Sequence, residues 1–261
     1  MLSISSFTRM LFLFAGAGLL SGAPSLHAQR ARINNIVLVH GAWVDGSGWK
    51  PVYEILVKDG YIVTLVQEPL TSFGEDVAAT KRVLAEQNGD CILVGHSYGG
   101  SVITEAGTDP HVVGLVYIAA HMPDASESEA EEGKLYPSAV AKAKVAVTTP
   151  DDFTYLQRPE FPRYFAADLP REQAVFEAQS QILTAASVFE GTITIPAWRS
   201  KPSWMLVPTE DKIINPELER FYAKRAHSHV EEAQGASHSV YESRPKQVAE
   251  MIEDAAQHSR P

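Results

Sequence analysis

A serine hydroxyl, an imidazole and a carboxylate can together cleave an acyl bond, and this 261-residue sequence offers all three in an ordered set. Gly95-His96-Ser97-Tyr98-Gly99 is a G-x-S-x-G motif. Its physical content is a strand-to-helix turn so tight that the serine sits in strained backbone and its hydroxyl stands clear of the chain. A serine hydroxyl is a weak nucleophile at neutral pH and needs a general base. Nine histidines are available. His27, His111, His121 and His258 fall in the leader, in loops or at the tail. His227 and His229 have H-x-H spacing, but no third ligand stands at a metal-binding distance in sequence. His238, in Gly235-Ala-Ser-His238, follows the last expected strand and is the candidate base. The orienting acid is expected from Val207-Pro-Thr-Glu-Asp211, after the preceding strand. Asp211 gives the chain order Ser, Asp, His, with Asp124 and Glu210 as rivals.

Acyl transfer also needs two backbone N–H donors for the developing oxyanion. Tyr98, the residue after the nucleophile, supplies one. His40-Gly41-Ala42-Trp43 closes the first expected strand, and Ala42 is the candidate for the other.

These residues must be held by a sheet. Short apolar runs alternate with helical patterns, which is the signature of βαβ units. Strands are expected at 36–40, 61–66, 91–94, 112–118, 203–207 and 229–233. Helices are expected at 49–58, 75–87, from just past Ser97 to 107, at 216–226 and at 244–256. On the 75–87 helix, Val77, Thr80, Lys81 and Leu84 share one face. The expected fold is α/β, a doubly wound, mostly parallel sheet of about six strands. Alternation stops between His121 and Pro202, which reads as an inserted cap with helical patches, such as 171–189, and little strand signal. Residues 29–120 and 203–261 would form the core. The acidic run from Ser126 to Glu132 reads as a solvated face of the cap. The cap is rich in aromatics (Tyr136, Phe153, Tyr155, Phe161, Tyr164, Phe165, Phe176, Phe189). They either pack the cap or line an apolar pocket beneath it, for which Trp43, His96, Tyr136 and Phe165 are the candidates.

Composition bounds the partners. The formal net charge is −10, with no Lys/Arg run, which argues against nucleic acid. Met1 to about Ala28 reads as a cleavable secretory signal, with Arg9 before the apolar run 10–20 and Ala28 at the cleavage site. That run is shorter than the roughly 20 residues of a spanning helix. The mature protein is therefore expected to be exported, periplasmic or secreted, without stable membrane insertion. Cys91 is the single cysteine, so no intramolecular disulfide forms, and it reads as a buried strand residue.

Val37-Leu-Val-His-Gly-Ala-Trp43, Leu93-Val-Gly-His-Ser-Tyr-Gly-Gly100 and Glu210-Asp-Lys-Ile213 together resemble the α/β-hydrolase superfamily. Within it they are similar to the small lid-bearing group of methyl-ester esterases and hydroxynitrile lyases. The resemblance implies hydrolysis of a small-molecule ester through an acyl-enzyme and with no cofactor, and the cap aromatics point to an apolar or aromatic one. Hydroxynitrile lyases of the group carry a lysine after the catalytic histidine and a threonine in the oxyanion loop. Ser239 and Gly41 stand there instead. A lyase or C–C hydrolase on the same residues, and a retired ligand-binding protein, are the alternative readings.

Overall fold

The computed structural model describes residues 33–259. The expected signal segment lies outside the described residues. The chain enters the sheet directly with β1 (Asn35–Val39), followed by α1 (Lys50–Lys58) and β2 (Ile62–Leu65). Then come α2 (Phe73–Ala85), β3 (Cys91–Ser97), α3 (Gly99–Ala106) and β4 (Val112–Ala120). An insertion follows, with α4 (Glu129–Leu135), α5 (Ala139–Ala143), β5 (Ala146–Thr148), β6 (Phe153–Leu156), α6 (Phe161–Tyr164), α7 (Arg171–Gln179) and β7 (Thr184–Ala185). The chain returns with β8 (Ser203–Pro208), α8 (Pro216–Ala226) and β9 (His229–Ala233), and ends with α9 (Val240–Ser243) and α10 (Pro245–His258).

The main sheet has six strands in the order β2-β1-β3-β4-β8-β9, all pairs parallel. A parallel sheet must be covered on both faces, which is why its central strands are apolar at nearly every position. Side chains alternate between two cores. Val37, Val39, Leu93, Leu115, Tyr117 and Met205 pack with α2, α3 and α8. Ile36, Leu38, Ile92, Val94, Val116 and Leu206 pack with α1 and α10. Burying each such side chain is worth about 1.5–3 kcal/mol, so the two faces together hold the sheet without a disulfide. Cys91 is buried, and desolvation pushes its thiol up to about 12, so it packs as an inert core residue.

Several local expectations shift. α2 begins at Phe73 because Ser72 caps it, accepting from the Glu75 amide at 3.3 Å. The S-x-x-E spacing of Ser72 and Glu75 carries that signal. Lys81 is exposed, and the buried face of α2 is instead Asp76, Val77, Ala79, Thr80 and Leu84. The insertion holds strands as well as helices, an antiparallel sheet ordered β5-β6-β7. The helical patch expected at 171–189 stops at Gln179, and β7 follows. The acidic run is not a solvated face: Glu129 and Glu132 are buried and only Glu131 among the α4 glutamates is exposed.

Candidate active site

Ser97 ends β3 with φ at +55°, a left-handed conformation that a non-glycine residue adopts only under local constraint. The pairing with β4 shifts register between His96 and Ser97, so the chain leaves the sheet there and starts α3. Gly99 makes this possible: a Cβ on it would stand 2.4 Å from the His40 carbonyl oxygen. The turn carrying Ser97 and the loop after β1 are thereby pressed together.

The three candidate residues meet. His238 Nε2 lies 2.8 Å from Ser97 Oγ, and His238 Nδ1 lies 2.7 Å from Asp211 Oδ2. The other Asp211 oxygen, Oδ1, accepts from the Ile213 and Ile214 amides at 2.7 and 3.0 Å. Those bonds fix the carboxylate and leave Oδ2 for the imidazole. The loops carrying acid and base are stitched together by Thr209 N–H donating to Ala233 O and Glu210 N–H donating to Ala236 O, both at 3.1 Å. Of the rival acids, Asp124 pairs with Arg199 at 2.7 Å and Glu210 is exposed.

His40 organises the loop after β1. Its Nε2 accepts from the Glu68 amide at 3.0 Å, so Nδ1 carries the proton and donates to Gly41 O at 2.9 Å. A trans peptide sets its N–H opposite its C=O, so the Gly41 carbonyl turned toward His40 turns the Ala42 N–H the other way. Tyr98 is anchored by its side chain: its hydroxyl donates to Asp76 Oδ2 at 2.7 Å, and Asp76 Oδ1 accepts from the Leu70 amide at 2.8 Å. Among the described residues, no loop or cap carbonyl accepts from the Ala42 or Tyr98 amide.

Ser97 opens on a cavity of about 570 Å³, whose lining includes Ala42, Trp43, Tyr136, Val140, Phe189 and Leu218. Of the four pocket candidates, Trp43 and Tyr136 line it. His96 and Phe165 do not. They pack behind the imidazole, with ring centroids 4.6 and 4.8 Å from that of His238. His96 Nε2–H donates to the His238 carbonyl at 3.0 Å, and burial holds the His96 ring well below its usual range and therefore neutral. The remaining aromatics of the insertion divide. Phe161 stacks on Phe165 at 4.7 Å, while Phe176 is 70% exposed.

Two contributions were not read from the sequence. Trp43 holds φ at +67° and is tied to the insertion three ways. Its amide and its indole N–H donate to Thr184 Oγ1 and Thr154 Oγ1, each at 3.0 Å, and its carbonyl accepts from the Ile182 amide at 3.0 Å. Threonines in an irregular insertion carry no signal of this contact. His121 and Glu129 also line the cavity, although the one was set aside as a loop histidine and the other as part of a charge run. No cluster of His, Cys, Asp or Glu among the described residues could hold a metal ion. His229 stacks on Trp204 at 4.8 Å instead of forming a ligand pair with His227.

The comparisons agree with this architecture. A carbendazim hydrolyzing esterase of Nocardioides sp. (strain SG-4G) is 37% identical over 108 residues, covering 36% of this chain and 45% of that protein. The match thus spans under half the length of that relative. Methylesterase 10 of Arabidopsis thaliana is 21% identical over 271 residues, covering 88% of this chain and 94% of that protein. The crystal structure of polyneuridine aldehyde esterase superposes with a TM-score of 0.75 at 19% identity, covering 86% of this chain and all of that one. Residues 36–251 match the alpha/beta hydrolase family, and the chain belongs to it.

Proposed function

We propose that this protein is a serine esterase that cleaves small carboxylic esters through an acyl-enzyme. The observation that carries the reading is the run of contacts from Asp211 through His238 to Ser97, at 2.7 and 2.8 Å, opening on an apolar cavity. Asp211 holds the proton on His238 Nδ1 and leaves Nε2 free to accept. His238 takes the Ser97 proton as Oγ attacks the ester carbonyl, and the imidazolium is stabilised by the buried carboxylate. The Ala42 and Tyr98 amides receive the oxyanion. His238 then protonates the leaving alcohol, activates water, and the acyl-enzyme is hydrolysed. No step in this scheme calls for a cofactor.

Residues 121–202 act as a cap, and the cavity they complete favours an apolar or aromatic ester. The esterase names of the relatives support the same class. The lyase alternative loses ground at Ser239, whose hydroxyl donates to the Phe165 carbonyl at 3.2 Å and brings no cationic side chain to the cavity. The leader makes this an exported enzyme, which N-terminal sequencing of the mature protein would test. The central experiment is Ser97→Ala. Turnover of p-nitrophenyl acetate should fall by at least about 10³, and a fluorophosphonate should label the wild type but not the variant. Full esterase activity in Ser97→Ala would overturn the reading.

A further inference from the structure

A second set of buried titratable side chains shares the cavity with Ser97 and takes no part in the acyl-transfer scheme. His121 follows β4 directly, and its amide donates to the Ser97 carbonyl at 3.2 Å. This approach requires Gly100, where a Cβ would stand 2.1 Å from the His121 carbonyl oxygen. Glu129, on the first turn of α4, reaches back to the helix that starts at the nucleophile. Its Oε1 accepts from Ser101 Oγ at 2.6 Å. Its Oε2 faces His121 Nε2 at 3.5 Å, too far for a good hydrogen bond. Their side chains are 13% and 7% exposed, and both residues line the cavity.

The protons on this pair can be assigned from its neighbours. The Tyr222 hydroxyl donates to Glu132, whose own proton is held toward the Glu127 carboxylate, so Tyr222 receives none from it and has no second proton to give. Its oxygen lies 3.2 Å from His121 Nδ1, so Nδ1 is the protonated nitrogen and Nε2 is a bare acceptor. Burial holds His121 down to about 3, so the ring is neutral. Burial also pushes the Glu129 carboxyl up to about 8, so it keeps its proton at neutral pH. Oε1 already accepts from Ser101, which leaves that proton on Oε2. The cavity wall therefore presents one acceptor and one donor side by side.

We propose that His121 and Glu129 are specificity-determining residues that read a hydroxyl group on the substrate, so that the preferred substrates are hydroxy esters. The hydroxyl donates to His121 Nε2 and accepts from the Glu129 Oε2–H. An oxygen about 2.8 Å from each atom sits on the cavity side of the pair. A hydroxyl offers both functions on one atom. An ether or carbonyl oxygen would set its lone pair against that of His121, and a carboxylate would find no cation beside it. The substrate class rests on the esterase reading above, but the polar pair does not.

The test compares methyl mandelate with methyl phenylacetate, which differ by one hydroxyl next to the ester carbonyl. The readout is the ratio of their kcat/KM values at pH 7. The wild type should favour the hydroxy ester, and the ratio should fall at least about tenfold in Glu129→Met and in His121→Phe, since a deoxy analogue never made the lost bonds. Glu129→Gln should keep the wild-type ratio, because a carboxamide can still accept from Ser101 and donate to the hydroxyl. Thermal melts and fluorophosphonate labelling of each variant identify loss of fold. The same two esters are titrated into Ser97→Ala and Ser97→Ala/Glu129→Met, where the ratio of Kd values reads the pair without turnover. Failure of every ester to turn over, with the Kd ratio still dependent on Glu129, would sink the esterase reading alone. A ratio unchanged in Glu129→Met and His121→Phe would overturn the hydroxyl reading, as would a Glu129→Gln ratio as low as that of Glu129→Met.

Discussion

Replacing Asp211 with asparagine removes one acceptor from a site where three donors converge. The Ile213 and Ile214 amides donate to Oδ1, and His238 Nδ1 donates to Oδ2. Asparagine has a single oxygen, so it must choose. With its oxygen at the Oδ2 position, the NH₂ group faces two backbone donors and both amides lose their partner. At about 1–3 kcal/mol for each buried unsatisfied group, this orientation costs about 2–6 kcal/mol. With its oxygen at the Oδ1 position, both amides are satisfied, and the NH₂ faces His238. The imidazole then shifts its proton to Nε2 and points it at Ser97 Oγ, where an acceptor is needed. Recovering the productive tautomer costs the difference between the two orientations. At about 1.36 kcal/mol per decade, that is about 30-fold to about 3 × 10⁴-fold in rate. Loss of the negative charge beside the imidazolium adds to it, and the corresponding change in a serine-protease triad costs about 10⁴. We therefore expect kcat on p-nitrophenyl acetate to fall by about 10³–10⁴. KM should be largely retained, because Asp211 does not line the cavity. The assay is steady-state kinetics on purified protein with a matched thermal melt. An Asp211→Asn variant with more than a tenth of wild-type kcat would refute the reasoning, as would an equal loss in Asp124→Asn.

Two further outcomes follow from contacts around the site. Thr154→Val takes away the acceptor of the Trp43 indole N–H, and should lower stability by about 1–3 kcal/mol and reduce kcat as well; unchanged turnover would show that Trp43 does not steady the Ala42 amide. Raised carboxyls set the pH dependence of stability. Glu129, Glu132 and Glu242 are each pushed up to about 8, with burial as the leading cause. Such groups stabilise the fold fully below their unfolded value near 4.5, and that contribution is lost as pH rises through the folded value. The buried histidines His40, His96 and His121 are held low, so their contribution is complete above 6.5 and does not oppose the trend there. Tm should therefore fall between pH 6.5 and 8, with a shallower slope in Glu129→Gln, and a flat or rising Tm across that interval would contradict the assignment.

The order of the main sheet's elements was legible because burial on both faces leaves apolar runs that cannot be mistaken for a surface. Ser97, His238 and Asp211 were legible for a different reason. Ser97 ends β3, and Asp211 and His238 sit in the loops that follow β8 and β9, and strand ends in a parallel sheet fall along one edge. The insertion was harder to read. β5, β6 and β7 are two to four residues long and too short to show a period. The run from Ser126 to Glu132 misleads because charge density predicts exposure only when the charges can reach water. Here Glu129 turns inward to Ser101, and Glu132 turns to Tyr222 and Arg225. His96 and Phe165 were placed in the pocket by their proximity to the nucleophile and by aromatic type. Neither property tells which side of an imidazole a residue occupies.

The three bonds from Trp43 to the insertion give the molecule an unusual division of labour. The peptide next to Ala42 is anchored on one side by His40 of the core and on the other by Thr154, Ile182 and Thr184 of the insertion. A segment tied in this way cannot swing open as a door without pulling on the loop after β1. Lys134 of α4, Lys142 of α5 and Asn215 before α8 border the same cavity. It follows that selectivity and rate are not separable modules in this protein. Grafting the insertion of another family member onto this core would exchange both at once, and a library that varies residues 146–185 for new substrates will discard many variants through lost turnover rather than poor binding.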